Sequence, residues 1–527
     1  MQRQSITAPA RTRVNNQRKI LLIAAAAVLM ALSFHPLKLH FLAWFGLVPL
    51  LFAIEDMPAG QTFRAGIFFG FLFAWFVLFW IIFLQIEANI KLLMVFGLIL
   101  LFLYIGLYYG ITLLIVKRTG LWLFPLAVTG LELLRGIGEL RFPWLSVGYS
   151  QARYPLFIQQ ASFYGVYGIS FWIVLLNVAI YKALKRRRAK NILVAVLIFI
   201  LPVIYGIARI SKPQGRPAIV GIVQPNIDPN LKFSPELRFE TFERLMRLSV
   251  RCASTALAQG RDSLDLIVWP ETATPVFLKS PGKYQDLVRH LVDRLNVPIF
   301  TGTAIYEPET HDIFNGAVLI EPKAGIAQEY RKIYLVPFGE HIPFDRQFAF
   351  IRKVDFGEGD YTPGTTYTVF KTPKFKFACL ICFESIFPEL SRRFVNNGAE
   401  ILVNITNDGW FGKISGPQQH NDMAILRSAE NGVVLLRSAN TGISMIVDQY
   451  GRVLVEKPLF KDDIIVSPID ITPTTTIYRH IGDILPVLCL VAITLLLGVS
   501  FINEHTRRTA AARDQGPASQ SNVDTKT

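Results

Sequence analysis

The chain has 527 residues, of which 52% are hydrophobic, 12% aromatic and 18% charged, and its mean hydropathy of +0.38 excludes an ordinary water-soluble globular protein. The formal net charge of +15 invites nucleic acid as a partner, but much of the excess sits beside apolar runs, where anionic lipid headgroups are the simpler partner. Four cysteines in a chain of this length exclude a disulfide framework.

Taken in chain order, a basic start at residues 1–19 precedes apolar runs near 20–33, 40–54, 65–84, 92–116, 121–134, 163–180 and 192–210, and one more follows near 481–501. Each approaches the length that spans a bilayer, about 20 residues at roughly 1.5 Å rise. Eight spans are expected: seven in a membrane domain over 20–210 and an eighth over 480–503. Orientation follows from Lys and Arg, which resist translocation in short loops. They cluster at Arg3, Arg11, Arg13, Arg18 and Lys19, at Lys117 and Arg118, at Lys182, Lys185, Arg186, Arg187, Arg188 and Lys190, and at Arg507, Arg508 and Arg513. With eight spans all four clusters fall on one side, so both termini are expected in the cytoplasm and residues 211–479 outside. The first run also resembles a signal peptide, but its cleavage would leave the remaining spans oriented as described. The tail at 504–527 is polar and is expected to be disordered.

From Pro217 the long apolar runs give way to short ones separated by amphipathic segments, an α/β pattern. Strands are expected at 218–223, 264–269, 297–304, 316–320, 375–381, 401–405, 433–436 and 444–448, and helices at 235–258, 284–295, 388–397 and 417–430. Strands of nearly continuous Val, Ile and Leu must be covered on both faces. Two sheets back to back, with helices outside, satisfy that need, and no internal repeat is present.

Three strings in this region carry reactive groups: VWPET at 268–272, YRKI at 330–333 and LICFES at 380–385. They offer a carboxylate (Glu271), an ammonium (Lys332) and a thiol (Cys382), each just past an apolar strand or in the loop beyond it, where α/β proteins place reacting groups. A base, a cation for an oxyanion and a nucleophile are what acyl transfer through a thioester requires. Each residue alone has a plainer reading: a helix N-terminal glutamate, a surface lysine, a buried structural cysteine. Cys379 and Cys382 also form a C-x-x-C pair, but no thioredoxin-like order of strand and helix surrounds it. His290, His311, His341 and His420 show no ligand spacing, so no metal or other cofactor is expected.

In this order the strings resemble the nitrilase superfamily and, within it, the apolipoprotein N-acyltransferase family. Further matching strings are FPWLSVGYSQ at 142–151, VQPNI at 223–227, LVPFGE at 335–340 and NDGWFG at 407–412. The resemblance runs from the second expected span to the eighth. It implies an α-helical membrane bundle of about eight spans with an extracytoplasmic nitrilase-like α-β-β-α sandwich, in a bacterial inner membrane with the catalytic domain on the periplasmic side. It implies Glu271 as general base, Lys332 as oxyanion stabiliser and Cys382 as nucleophile, with Glu340 and Glu384 as supporting acids. Trp410 matches a mobile-loop tryptophan, and FPWLSVGYSQ a membrane-side loop beneath the domain. Two positions depart from the family, Phe383 where Tyr is frequent and Phe233 where Trp is frequent; an apolar gating role remains open to Phe233. Phe338, Phe344, Trp410 and Phe411 can dip into the interface and exclude water.

The implied reaction takes an acyl chain from the sn-1 position of a phospholipid to the α-amino group of an S-diacylglyceryl cysteine at the start of a lipoprotein precursor, by a ping-pong route and as a monomer. Two other readings stand beside it. A membrane-anchored amidase would use water as acceptor, for which one span suffices. A transporter with an accessory outer domain would need charges within the spans, where Glu132 and Arg135 are the main candidates and look like an interfacial pair.

Overall fold

The computed structural model of the chain describes residues 8–37, 39–84, 88–210, 215–228, 234–344 and 361–514. The first half is helical: α1 (Ala8–Leu32), a 3-10 turn (His40–Trp44), α2 (Val48–Ile54), α3 (Ala59–Leu78), α4 (Ala88–Thr119), α5 (Phe124–Arg135), the short α6 (Pro155–Ile158), α7 (Ala161–Arg186) and α8 (Ala189–Arg209). Among the described residues, five stretches are long and apolar enough to cross a membrane: Ala59–Phe83, Lys91–Thr119, Ala161–Arg186, Ala189–Arg209 and Ile484–Asn503. They coincide with five of the eight expected runs. The first expected run lies in the second half of α1, the 40–54 run divides into the 3-10 turn and the 7-residue α2, and the 121–134 run forms the 12-residue α5.

α3 and α4 meet through glycines spaced four apart on each helix. A Cβ on Gly66 would stand 2.7 Å from Gly110 Cα, and one on Gly70 would stand 2.8 Å from Gly106 Cα. Small residues at that spacing let two apolar backbones touch where lipid offers no hydrophobic drive. At one end of the bundle Lys117 Nζ donates to the Glu55 carbonyl at 3.0 Å, Lys185 pairs with the Glu55 carboxylate, and Lys182 Nζ lies 3.2 Å from the Trp122 ring centroid. Two of the basic clusters therefore share an end.

The second half comprises β1 (Arg216–Gln224), α9 (Arg238–Ala258), β2 (Leu266–Val268), α10 (Lys283–Leu295), β3 (Ile299–Tyr306), β4 (Ile313–Glu321), β5 (Gly325–Arg331), β6 (Val369–Lys371), β7 (Lys376–Ile381), α11 (Pro388–Asn396), β8 (Ile401–Thr406), α12 (Gly416–Asn431), β9 (Val434–Ala439), β10 (Met445–Val447), β11 (Val453–Glu456) and β12 (Asp463–Ile471). A short α13 (Ile477–Ile481) then leads to α14 (Ile484–Asp514). The strands form two six-stranded sheets, ordered β12-β1-β2-β3-β4-β5 and β11-β10-β9-β8-β7-β6. Each has a parallel centre, β1-β2-β3 and β7-β8-β9, and antiparallel flanks. The sheets pack face to face: the Phe300 ring lies 4.9 Å from Phe370 and 5.0 Å from Phe377, and Ser438 Oγ donates to the Val223 carbonyl at 3.0 Å. α9 and α10 cover the first sheet, and α11 and α12 the second. All eight expected strands and four expected helices are present, with ends displaced by a few residues.

Of α12 only Gln418 is not fully buried, because this polar helix is wedged between the second sheet and the bundle. Gln419 Oε1 accepts from Trp80 Nε1 at 3.2 Å and Trp144 Nε1 at 2.9 Å, and its Nε2 donates to the His35 and Val77 carbonyls. Asp422 accepts from Arg153 Nε at 2.6 Å and pairs with His35, while Glu430 accepts the Val166 N–H at 2.8 Å. α7 kinks at Tyr164 and Gly165, and the helix beyond runs from the α/β domain, near Val166, to Lys182 and Lys185, which puts the domain and the basic cluster at its opposite ends.

Glu132 and Arg135, expected as an interfacial pair, lie close enough for their charges to interact and also bind the chain beside them. Both side chains are buried; Glu132 Oε1 accepts the Val147 N–H at 2.7 Å, and Arg135 Nη2 reaches Ser146 Oγ at 3.4 Å. They hold the FPWLSVGYSQ loop in place, since its backbone turns leave polar groups that buried partners must satisfy.

Candidate active site

Glu271 is aimed by the way β2 stops. Pro270 cannot donate to a strand ladder, so the chain turns over β3, where Gly302 N–H donates to the Pro270 carbonyl at 3.1 Å. The close approach needs glycine, because a Cβ on Gly302 would stand 2.7 Å from Glu271 Cα. The Glu271 carboxylate is buried; Oε1 accepts from Asn315 Nδ2 at 2.9 Å and Oε2 from the Asn407 N–H at 2.8 Å.

Lys332 leaves the end of β5 wholly buried, with Nζ 2.7 Å from Glu340 Oε2 and 3.7 Å from Glu271 Oε1. Burial opposes its charge, but the Glu340 and Glu271 carboxylates outweigh burial and hold its pKa above the ordinary lysine value. Glu340 is fixed in turn by Asn315 Nδ2 at 2.8 Å and the Val336 N–H at 2.9 Å. Asn315 therefore bridges the two carboxylates that face the ammonium.

Cys382 comes directly after β7 at φ 48, a left-handed conformation that costs a non-glycine residue energy. The 3-10 turn Cys382–Ile386 follows, and the first N–H groups of such a turn have no acceptor within it. Burial first, and then the Glu271 charge, push the Cys382 thiol well above its ordinary pKa, with Lys332 pulling the other way. Carboxylate, ammonium and thiol thus share one electrostatic neighbourhood, which favours the protonated sulfur. Cys379 is fully buried in β7 and, like the other three cysteines, has a free thiol.

Glu384 holds backbone rather than reacting groups. Its Oε1 accepts from Tyr330 Oη at 2.7 Å and from the Ile333 and Tyr334 N–H groups at 2.7 and 3.1 Å, and its Oε2 accepts from the Ile381 N–H at 2.7 Å. One carboxylate therefore clips the segment carrying Lys332 to the turn carrying Cys382. Burial pushes its pKa up to about 7.

The aromatic candidates separate into three groups. Phe383 is buried against Phe387, ring centroids 5.0 Å apart. Trp410 and Phe411 are half-buried in the turn Asp408–Phe411, and the Phe411 ring stands 4.9 Å from Trp80 and 6.2 Å from Trp144 of the bundle. Phe338 and Phe344 are 51% and 37% exposed, each at positive φ, so of these rings they are the exposed ones. Phe233 lies outside the described residues. The FPWLSVGYSQ loop does lie beneath the domain: Tyr149 Oη donates to the Ile386 carbonyl at 2.8 Å, in the turn that Cys382 begins.

Sequence reasoning missed Asn315, Gly302 and a buried chain behind Cys382 formed by His420, Asp408 and Arg437. His420 Nε2 lies 3.0 Å from the Cys382 carbonyl, its Nδ1 lies 2.9 Å from Asp408 Oδ1, and Arg437 Nη2 donates to Asp408 Oδ2 at 2.7 Å. One signal was available: an arginine inside the apolar strand β9 must find a buried partner.

An α-β-β-α sandwich that gathers a carboxylate, an ammonium and a thiol defines a nitrilase-like domain, here attached to a bundle of apolar helices. Residues 219–478 match the carbon-nitrogen hydrolase family model, and residues 26–179 match that of the apolipoprotein N-acyltransferase N-terminal domain. An apolipoprotein N-acyltransferase of Geobacter metallireducens is 34% identical over 504 residues, 92% of this chain and 96% of the relative. Another, of Chlorobaculum tepidum, is 30% identical over 488 residues, 85% of this chain and 90% of the relative. Among solved structures, Nit3 of Saccharomyces cerevisiae, a member of branch 10 of the nitrilase superfamily, is 20% identical and covers 51% of this chain and 95% of its own, with a TM-score of 0.39. The chain belongs to the apolipoprotein N-acyltransferase family.

Proposed function

We propose that this chain moves an acyl chain from the sn-1 position of a phospholipid, through a thioester on Cys382, to the α-amino group of the N-terminal S-diacylglyceryl cysteine of an apolipoprotein. Glu271 takes the thiol proton as sulfur attacks the ester carbonyl. Lys332 and the Phe383 N–H stabilise the oxyanion, each such donor being worth about 3 to 4 kcal/mol. Collapse of the tetrahedral intermediate breaks the bond to the glycerol oxygen, which takes the proton from Glu271 and leaves as a lysophospholipid. The acceptor amine then attacks the thioester, gives up a proton, and regenerates the thiol as the amide forms.

The observation that carries this reading is the buried Lys332 ammonium, 3.7 Å from Glu271 and 2.7 Å from Glu340, in the same electrostatic neighbourhood as the half-buried Cys382 thiol. The attachment of the domain through α12 to apolar helices supports two membrane-held substrates reaching the site laterally. Eight spans, cytoplasmic termini and a periplasmic domain in a bacterial inner membrane complete the proposal, with the chain acting as a monomer. The gathering of basic loops at the end of α7 remote from the domain supports that orientation.

The test uses vesicles of a phospholipid labelled in its sn-1 chain, with the full chain and an S-diacylglyceryl-cysteinyl peptide. The expected result is label in the peptide amide, with lysophospholipid formed one for one, and none of either with Cys382→Ala. Labelled free fatty acid in place of labelled peptide would make water the acceptor and overturn the reading.

A further inference from the structure

Two ends of one peptide unit serve different purposes at the nucleophile. The Phe383 N–H is the backbone donor that the acyl-transfer reading gives to the oxyanion. The carbonyl of the same planar unit belongs to Cys382 and, in the trans form, points the opposite way. Whatever holds that carbonyl aims the donor. It is held twice, by His420 Nε2 at 3.0 Å and by the Ser385 hydroxyl, which donates at 2.9 Å. Turning this unit would change only ψ of Cys382 and φ of Phe383, and these two hydrogen bonds oppose that motion.

We propose that His420 is a positioning residue for this reaction: by anchoring the Cys382 carbonyl it fixes the plane of the Cys382–Phe383 peptide and so the direction of the oxyanion donor. The inference rests on the acyl-transfer reading above. His420 is fully buried and set from several sides. Asp408 Oδ1 lies 2.9 Å and Arg437 Nη2 3.2 Å from Nδ1, and Arg437 is itself tied to Asn404 Oδ1 and Asp408 Oδ2. The Trp144 ring stacks on the imidazole at 5.7 Å, and Phe411 meets it edge-on at 5.9 Å.

Nε2 also lies 3.0 Å from Ser385 Oγ; with the Ser385 hydroxyl donating to the Cys382 carbonyl and a carbonyl able only to accept, Nε2 carries the proton of this contact. The neutral ring then accepts at Nδ1 from Arg437, and the charged ring donates there to Asp408; Nε2–H is present in both. The aromatic layer against the bundle and the buried ion pair thus converge on a single hydrogen bond behind the nucleophile.

The test compares His420→Asn and His420→Gln in the full-length protein by two rates at Cys382: acylation by phospholipid, read by mass, and alkylation by iodoacetamide. Alkylation displaces iodide from a saturated carbon and forms no oxyanion, so it reports whether thiol and base remain intact. Asn can occupy the place of Nδ1 but cannot reach the carbonyl, whereas the Gln amide nitrogen falls near Nε2. The expected result is acylation reduced about 100-fold in His420→Asn, the scale of one lost oxyanion donor, with alkylation unchanged and with most of the loss recovered in His420→Gln. Unchanged acylation in His420→Asn, a parallel fall in both rates, or Gln no better than Asn would each overturn the inference while leaving acyl transfer in place. A native protein that takes no acyl chain would overturn the acyl-transfer reading, and this one with it.

Discussion

A half-buried thiol beside a carboxylate does not ionise unaided, and that single fact organises the chemistry. Burial and the Glu271 charge hold the Cys382 proton in place, so iodoacetamide alkylation of the native protein should climb about tenfold per pH unit from about pH 7 to about pH 9. A plateau below about pH 8 would mean a thiolate already formed and no task for Glu271. Lys332→Met should lower acylation by about 10²- to 10³-fold, since it removes an oxyanion partner. It should also cost about 3 to 5 kcal/mol of stability, because Glu271 and Glu340 lose the cation between them; a melt in detergent checks the second effect separately. Glu384 supplies a pH signature. Its folded pKa of about 7 lies above the ordinary 4.5, so the folded protein keeps a proton that the unfolded chain releases. Its contribution to stability is full below about pH 4.5 and is lost as pH rises to about 7. The melting temperature should fall over that window, and less steeply in Glu384→Gln. Glu271 and Cys382 could be placed from sequence because each follows an apolar strand, β2 or β7, whereas Lys332 follows the edge strand β5 and was picked out by the apolar run after it. Asn315 and His420 were not, since their importance comes from contacts across 44 and 38 residues of chain, to Glu271 and Cys382.

The elements show where sequence pattern carries information and where it fades. The four strands that escaped it, β5, β6, β11 and β12, are the four sheet edges. An edge strand is half wet, so its residues lack the continuous apolar run that marks a strand covered on both faces; β11 alternates partly buried and exposed residues, and β12 carries Pro468, which an edge tolerates. The glycines at helix and strand contacts were equally silent, because close approach is a property of the pair. Gly70→Leu should force α3 from α4 and lower the melting temperature and yield, while surviving protein keeps an alkylatable Cys382. Gly302→Ala should act the other way round: the new methyl group presses on the Glu271 backbone, so acylation should fall at least about tenfold, on the scale of a misplaced reacting group, with a smaller change in melting.

At the scale of the whole molecule, the α/β domain is anchored by the polar side chains of α12 rather than resting on the bundle as an appendage. Asp422→Ala leaves His35 and Arg153 without their shared carboxylate, and a broken buried pair costs about 3 to 5 kcal/mol. Limited proteolysis should then cut between the bundle and the domain faster than in the native protein; equal rates would show that the apolar contacts suffice. The division into apolar and α/β halves could be read from composition, but the wedge between them could not, since a polar helix reads as a solvated one until its partners are known. The central claim is that one sulfur carries a fatty chain between two lipids. Its most direct test is the intact mass of full-length protein incubated with a phospholipid of one defined sn-1 chain and no acceptor. The expected spectrum gains the mass of that fatty acid less one water, loses it on treatment with hydroxylamine, and shows no gain in Cys382→Ala; no gain in the native protein, or a gain that persists in Cys382→Ala, would contradict the account.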